Sequence, residues 1–252
     1  MEKPSTSVLS PRSPKSWPAD AFAWPRSLLV LVALGVAFYV GLLLDSYIAI
    51  RLLGTTRHDI TSSTLTWGIA IGQYFSYVPI LLVLLVGMPW VSRQSLSALG
   101  LRGFDRRTVI AGIIGALAMY AVTIGVANLQ FTFTHQKPEE TAITLFTSTH
   151  DTMLIVAFTF LATIAAPFME EFVYRGFLFN ALARYAPVWL AAVVSGVLFG
   201  LSHGSSSAFL PLAASGVVLA YVYQRSGSLT ASMLTHALFN LINVALISVA
   251  KS

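Results

Sequence analysis

The chain contains no cysteine and few charged residues. Without cysteine it forms no disulfide and no thiolate metal site, and a cysteine nucleophile is excluded. Charged residues make up 10% of the 252 positions and hydrophobic residues 56%, whereas a soluble domain carries about 25% charged residues. The sequence also lacks an evident internal repeat and a His-Glu-x-x-His motif. This composition predicts an integral membrane protein embedded in a lipid bilayer.

The apolar residues occur in runs that predict an all-α fold, a polytopic transmembrane helical bundle of about seven to eight spans. The runs cover about residues 27–52, 65–91, 109–131, 152–185, 188–202, 208–224 and 229–249. The fifth run is short for the roughly 17–25 residues that a helix needs to cross a bilayer. An eighth, re-entrant crossing would change only the side on which the C-terminus lies.

Positive charge is distributed unevenly between alternate connectors. The net charge of +5 by itself would allow a nucleic-acid partner. With seven crossings, the N-terminal tail and connectors 92–107, 175–187 and 225–228 lie on one side and hold 11 Lys and Arg residues, against 4 on the other. Because cytoplasmic loops carry the excess of Lys and Arg, the bias predicts a cytoplasmic N-terminus and no nucleic-acid partner.

The chain divides into three regions. Residues 1–26, rich in Pro and Ser, predict a disordered cytoplasmic tail; a signal peptide is the alternative, but no small-residue cleavage site stands out after the first apolar run. Residues 27–150 predict N-terminal transmembrane helices with connectors. Residues 151–252 predict a transmembrane core that carries every motif described below.

An apolar run ends in charged residues at positions 165–176. The sequence there is Ala-Ala-Pro-Phe-Met-Glu-Glu-Phe-Val-Tyr-Arg-Gly. Charge at membrane depth is costly and therefore indicates a functional site. In a helix, Glu171 and Arg175 are four residues apart and can pair on one face. Glu170 points about 100° away and lacks that partner, so it is left for chemistry. Pro167 should distort the helix just upstream.

A turn at residues 185–187 is predicted to bring His203 close to Glu170. Glu170 lies 15 residues before Tyr185, and His203 lies 16 residues after Pro187. At 1.5 Å per residue, two helical arms place both side chains about 22–24 Å from the tip of the hairpin. We therefore expect Glu170 and His203 to meet, where they could hold a water molecule and take its proton.

His236 and Asn240 are four residues apart in the last apolar run, so they share a helix face. Both carry N–H donors that could stabilise the oxyanion of a tetrahedral intermediate. A buried His or Asn also serves as an ordinary interhelical hydrogen bond, and Asn240 could have only that role. The other paired acids, Glu139 and Glu140, follow a proline in a polar segment, where solvated charge is expected.

Three motifs stand in order along the core: Glu-Glu-x-x-Tyr-Arg-Gly from Glu170, Phe-x-x-x-His ending at His203, and His-x-x-x-Asn from His236. Together they resemble the CAAX-protease and bacteriocin-processing family (CPBP, or Abi) of intramembrane glutamic endopeptidases, over about residues 152–250. The resemblance implies a protease without metal or cofactor that cleaves a peptide or protein at the membrane, lipidated substrates included. It also implies a bacterial cell membrane as the location.

The resemblance further implies a role for each matching residue. Glu170 and His203 would activate water, and His236 and Asn240 would form the oxyanion hole. The supporting residues would be Glu171, Tyr174 and Arg175.

Other classes of function fit the same residues. A proton-coupled transporter would use the buried acid and imidazoles as a relay, although inverted repeats would then be expected. An immunity or scaffold protein would keep the motif for stability alone. A zinc metallopeptidase is a further alternative, since Glu170, His203 and His236 are zinc ligands in type.

Overall fold

A computed structural model describes residues 20–56, 58–59, 64–93, 99–101, 103–138 and 141–251. The expectations for residues 1–19, Glu139 and Glu140 lie outside this part of the chain. All regular secondary structure within it is helical, as predicted. The helices are α1 (Arg26–Leu52), α2 (Trp67–Ser92), α3 (Arg106–Thr134), α4 (Thr141–Thr147), α5 (Thr152–Ala183), α6 (Val188–Ser202), α7 (Phe209–Ser226) and α8 (Leu229–Lys251).

Local sequence signals set several helix boundaries. The side chains of three N-cap residues accept hydrogen bonds from backbone N–H groups in the first turn: Thr66 for α2, Asp105 for α3 and Asp151 for α5. Gly227 ends α7 with a left-handed backbone (φ 60°), a conformation that glycine adopts at little cost. The polar residues between the apolar runs therefore terminate the helices where the sequence suggests.

Helix α5 contains two π-helical segments, Leu161–Ala165 and Phe172–Phe179. In the first, the Ala166 N–H bonds the Leu161 carbonyl, five residues earlier. In that register the Ala162 carbonyl would pair with residue 167, but Pro167 has no N–H. Pro167 therefore accompanies the predicted distortion, and the Ala162 carbonyl is left for a donor from another helix.

All helices except the short α4 run alternately between two ends of the bundle. One end, called here the basic end, gathers residues 20–25, 93, 99–101, 103–105, 184–187 and 226–228. Hydrogen bonds hold this end together, such as Phe22 N–H to Val91 O in α2 (2.8 Å), Trp24 N–H to the Tyr185 hydroxyl (2.6 Å) and Leu229 N–H at the start of α8 to Gly100 O (2.9 Å). The described parts of the connectors predicted to share one side lie at one end of the bundle.

The opposite end gathers residues 53–56, 58–59, 64–66, 135–138, 141–151 and 203–208. Leu65 N–H bonds the Ser148 hydroxyl (2.8 Å), and the Gln130 amide bonds the Ser207 carbonyl (2.6 Å). The segment 132–151, predicted to be a polar connector, also forms α4, whose Phe146 is buried against Leu65 and α5. This short helix was not expected, because its burial depends on residues far along the chain.

Five helices in the described part are long and apolar enough to cross a membrane. They are Arg26–Leu52, Trp67–Ser92, Arg106–Thr134, Thr152–Ala183 and Leu229–Val249. Helix α6 is apolar but has only 15 residues, as predicted, and α7 packs against α3, α6 and α8. The chain is therefore an integral membrane protein with an all-α polytopic bundle.

Residues 20–25 differ from the predicted disordered tail. Ala21 and Phe22 are 1% and 2% exposed, and the Asp20 carboxylate contacts the guanidinium groups of Arg26 (2.9 Å) and Arg93 (3.1 Å). The hydrogen bond from Arg26 holds the pKa of Asp20 below its ordinary value. This segment is ordered because it packs against the end of α2, a contact that its Pro-rich composition does not reveal.

Candidate active site

A cavity of about 280 Å³ lies among helices α2 to α8. Glu170, His203, His236 and Asn240, the residues expected to be catalytic, all line it. The hairpin argument therefore correctly placed Glu170 and His203 at one site, and α8 adds the other two. The rest of the wall is largely apolar, so these four side chains form a polar cluster inside the bundle.

A buried ion pair lies next to the cavity. Arg175 Nη1 donates to Glu171 Oε1 at 2.8 Å, and both side chains are 0% exposed. Arg175 Nη2 donates to the Gly216 carbonyl (2.7 Å), and the guanidinium carbon lies 4.8 Å from the centroid of the Phe199 ring. The predicted pair of Glu171 and Arg175 is confirmed, and Arg175 joins α5 to α7.

The Glu171 carboxylate also fixes the orientation of His236. Its Oε2 accepts a hydrogen bond from the Ser232 hydroxyl (2.6 Å), and its Oε1 lies 3.2 Å from His236 Nδ1. Because a carboxylate paired with arginine accepts hydrogen bonds, Nδ1 carries the proton and Nε2 faces the cavity. Ser232 was not predicted, although its position four residues before His236 on an apolar helix is a signal that could have revealed it.

Glu170 is in a different environment from Glu171. Its side chain is 22% exposed, and its Oε2 is buried without a hydrogen-bond partner among the described residues. This oxygen lies 3.9 Å from His236 Nε2, beyond hydrogen-bond distance. The carboxylate is thus available to a molecule in the cavity, as the helical-face argument anticipated.

His203 presents its Nε2 as an acceptor when the ring is neutral. Its Nδ1 lies 2.8 Å from the Phe199 carbonyl, which can only accept a hydrogen bond, so Nδ1 is the donor. The Phe199 ring contacts both imidazoles, with centroids 4.7 Å from His203 and 5.6 Å from His236. This arrangement orients His203 to accept a hydrogen bond from water.

Asn240 ties α8 to α5. Its Nδ2 donates to the Ala162 carbonyl at 2.7 Å, the carbonyl left without a partner by Pro167. One amide hydrogen is therefore used structurally, as the alternative interpretation required. The second amide hydrogen is the one that an oxyanion role would need.

Tyr174 packs edge-on against Phe199, with ring centroids 5.3 Å apart. Its carbonyl accepts a hydrogen bond from the Ser195 hydroxyl (3.1 Å), which joins α5 to α6. These contacts support the helix that carries Glu170.

Two polar residues from the N-terminal half also line the cavity: Gln73 and Tyr77 of α2. The Tyr77 hydroxyl interacts with the Gln73 amide and with the charge of Glu170. The sequence analysis missed both, although a polar pair four residues apart in the apolar run 65–91 is a usable signal. Within the described residues, no group of three or more His, Asp or Glu side chains is arranged to hold a metal ion.

Comparisons with known proteins relate the chain to membrane peptidases. The family model described as "Type II CAAX prenyl endopeptidase Rce1-like" matches residues 152–242. A Bacillus subtilis (strain 168) protein named "Putative membrane peptidase YdiL" is 23% identical over 216 residues, which cover 80% of this chain and 83% of the relative. No solved structure matches the chain.

The matched segment begins at the first residue of α5 and ends two residues after Asn240. It therefore includes all the cavity residues that the three sequence motifs singled out. The family model and the named relative together support a membrane peptidase of the CAAX-protease (CPBP) type.

Proposed function

We propose that this protein is an intramembrane endopeptidase in which Glu170 and His203 activate a water molecule. The observation that carries the proposal is the shared cavity. An acid whose buried oxygen has no hydrogen-bond partner in the described part of the chain and an imidazole acceptor line the same space among apolar helices. The peptide substrate binds at the membrane. Lipidated peptides are included, since the matching family model is described by prenyl substrates.

The reaction needs no covalent enzyme intermediate. Water donates a hydrogen bond to His203 Nε2 and attacks the scissile carbonyl carbon while its proton passes to Glu170. The carbonyl electrons move onto oxygen to form the oxyanion. When the C–N bond breaks, these electrons re-form the carbonyl, and Glu170 returns the proton to the departing amine.

Glu171 acts as a positioning residue in this scheme. It is held by Arg175 and Ser232 and in turn fixes the His236 ring. His236 can donate from Nε2 to the oxyanion only when both of its ring nitrogens are protonated. Other donors among the described residues at the cavity include the second amide hydrogen of Asn240, the Tyr77 hydroxyl and the Gln73 amide.

We further propose that the chemistry is of the glutamic type and independent of metal. The motif resemblance supports this assignment, and the buried ion pair explains how Glu171 can remain charged without a metal. Activity of the purified protein should be unchanged after treatment with strong chelators. Stoichiometric zinc whose removal abolishes activity and whose return restores it would assign the site to the metalloproteases.

The experiment that tests the function compares purified wild-type protein with Glu170→Gln on fluorogenic membrane-anchored peptides, with and without a C-terminal prenyl group. We expect cleavage by the wild type and none by the variant. A transporter would show proton-coupled flux without cleavage, and a scaffold protein would show neither. Mass spectrometry of the products locates the cleaved bond.

The orientation and location of the protein are also part of the proposal. The bias of Lys and Arg supports a cytoplasmic N-terminus. The named Bacillus subtilis relative supports a bacterial cell membrane.

A further inference from the structure

The cavity that holds Glu170 extends into an apolar part between α4 and α5. Five apolar side chains form this part, called here the apolar arm: Ala142 and Leu145 of α4, and Phe158, Leu161 and Ala162 of α5. Ala162 lies 8 residues before Glu170, a separation of about 12 Å along a helix. The apolar arm is therefore continuous with the proposed catalytic groups but lies beyond them.

Helix α4 is held in a fixed position beside the apolar arm. The Phe146 side chain is 3% exposed and packs on the Phe158 ring, with centroids 6.1 Å apart. The Ser148 hydroxyl accepts a hydrogen bond from the Leu65 N–H (2.8 Å) and donates one to the Leu145 carbonyl (2.7 Å). Because these contacts fix the backbone that carries Leu145, α4 is a preformed wall of the kind that ligand pockets usually have.

The two α4 side chains that reach the apolar arm share one face of the helix. Ala142 and Leu145 are three residues apart, so their side chains are neighbours. Ile143 lies on another face, outside the cavity lining, and is 40% exposed. Helix α4 also lies outside residues 152–242, the segment that matches the family model. This wall and the proposed catalytic residues thus come from different parts of the chain.

The volume of the cavity makes the size of a bound side chain important. The cavity measures about 280 Å³, close to the lower limit of the roughly 300–1,000 Å³ found for ligand pockets, so only a short piece of a peptide fits inside. In an apolar pocket, one methylene more or less changes discrimination between substrates by about 10–200-fold. A change of a few carbon atoms in the wall should therefore change which substrate is accepted.

We propose that Ala142 and Leu145 set the size of the apolar substrate side chain that the cavity accepts near the scissile bond. An extended peptide advances about 3.3–3.6 Å per residue, so a side chain within about three residues of that bond reaches the apolar arm. The occupant is the substrate itself, because the arm opens into the space shared by Glu170 and His203. This inference rests on the proposed endopeptidase function and names residues that select its substrates.

Two opposite changes in the wall test the assignment on fluorogenic peptides that carry Ala, Val, Leu, Phe or Trp at each position around the scissile bond. Leu145→Ala enlarges the apolar arm and should raise kcat/KM for Phe or Trp relative to Val by about tenfold or more at one position. Ala142→Leu fills the arm and should shift the same ratio in the opposite direction. Ile143→Ala is the matched control, since it truncates an apolar α4 side chain outside the cavity, and its ratio should equal that of the wild type.

The ratio separates selectivity from stability, because loss of folded protein lowers kcat/KM for all peptides alike. The shift should be the same with and without a prenyl group on the peptide. Ratios in Leu145→Ala and Ala142→Leu that equal the wild-type ratio would overturn the proposal. A preference that follows the length of the prenyl group instead of a side chain would also overturn it, because the prenyl chain would then occupy the apolar arm.

A binding measurement that needs no turnover separates this proposal from the proposed function. The chain has no cysteine, so Leu145→Cys provides a single thiol in the apolar arm and Ile143→Cys provides one outside it. Both are placed in purified protein that also carries Glu170→Gln. Peptides of the same set that carry Phe should slow the modification of Leu145→Cys by benzyl methanethiosulfonate and leave that of Ile143→Cys unaffected.

The two measurements together assign every outcome. Cleavage by the wild type without protection of Leu145→Cys would reject the apolar arm as the side-chain site and keep the endopeptidase. Protection without cleavage in any preparation would reject the endopeptidase and keep the arm as a binding site for an apolar side chain. Absence of both would reject both.

Discussion

Glu170 and Glu171 are neighbours in the chain but make different contacts. Glu171 is fully buried and accepts hydrogen bonds from arginine, serine and histidine. Glu170 faces the cavity with one buried oxygen unpartnered. Adjacent residues on a helix point about 100° apart, so one acid can serve structure and the other chemistry.

Substituting each glutamate by glutamine separates these roles. Glu170→Gln should abolish turnover and leave the melting temperature nearly unchanged. Glu171→Gln should lower the melting temperature, because a buried arginine loses its counter-charge, a change that costs about 3–5 kcal/mol in other proteins. Thermal unfolding and turnover are measured on the same preparations, and full activity of purified Glu170→Gln would reject its assignment as the base.

Asn240 is expected to serve both stability and catalysis. In Asn240→Ala the Ala162 carbonyl loses its partner, which should lower stability by about 1–3 kcal/mol. If the second amide hydrogen acts on the oxyanion, kcat should fall by about 10²–10³ with KM nearly constant. Normal kcat in the folded fraction would leave Asn240 with the interhelical tie alone.

Tyr77→Phe tests the donor that the sequence analysis did not identify. Its hydroxyl lies at the cavity close to Glu170, so its loss should reduce kcat by about 10²–10³ and change KM little. Tyr74→Phe is the matched control on the same helix, because that hydroxyl is already bonded to the Ala157 carbonyl (2.7 Å). The control should lose stability and keep kcat; equal kcat in both variants would exclude Tyr77 from the reaction.

At the level of helices, α6 and α7 approach closely through glycines. A Cβ at Gly196 would lie 2.7 Å from the Ala213 carbonyl oxygen and 2.8 Å from the Val217 nitrogen, both backbone atoms. Small residues at such crossings let the backbones of membrane helices pack tightly. The contact matters for the site because α6 ends at His203 and α7 holds Arg175 through Gly216.

Gly196→Ala should force α6 and α7 apart and lower stability by about 1–3 kcal/mol. Activity should fall with it, because His203 and the Arg175 contact both shift. Gly35→Ala is the control: it makes the same change in a helix where nothing lies within 4 Å of the new Cβ, and it should be neutral or slightly stabilising. Two variants with the same melting temperature would contradict this account of the crossing.

At the level of the whole molecule, the N-terminal helices complete the site. Residues 151–252 contain every motif residue, yet α2 contributes Gln73 and Tyr77 to the cavity and α3 contributes Met119. The two regions also share hydrogen bonds, such as that from Thr235 Oγ1 to the Gly112 carbonyl (3.2 Å). Helices from both sides of the predicted boundary near residue 150 therefore pack together around the cavity.

A split chain tests this dependence. Fragment 151–252 expressed alone should be inactive, because one wall of the cavity is missing. Co-expression with fragment 1–150 should restore activity, since the break falls in the connector after α4. Turnover by fragment 151–252 alone at the level of the intact chain would show that the N-terminal helices are dispensable.

The sequence by itself determined the helical class, the alternation of the connectors and the pair of Glu171 with Arg175. The first two features depend on local hydropathy, and the ion pair depends on spacing along one helix. The approach of Glu170 to His203 was also predicted, because the two helical arms that leave the turn at residues 185–187 have nearly equal lengths. Their catalytic roles, and those of His236 and Asn240, stay predictions until turnover is measured.

Only the tertiary structure decided which donors and acceptors meet across helices. Ser232 contacts Glu171 across 61 positions, and Asn240 contacts Ala162 across 78. The approach of Tyr77 to the cavity, the burial of Phe22 and the short helix α4 likewise depend on which helices become neighbours. Hydropathy and helical period describe one helix at a time, so they carry no information about these pairings.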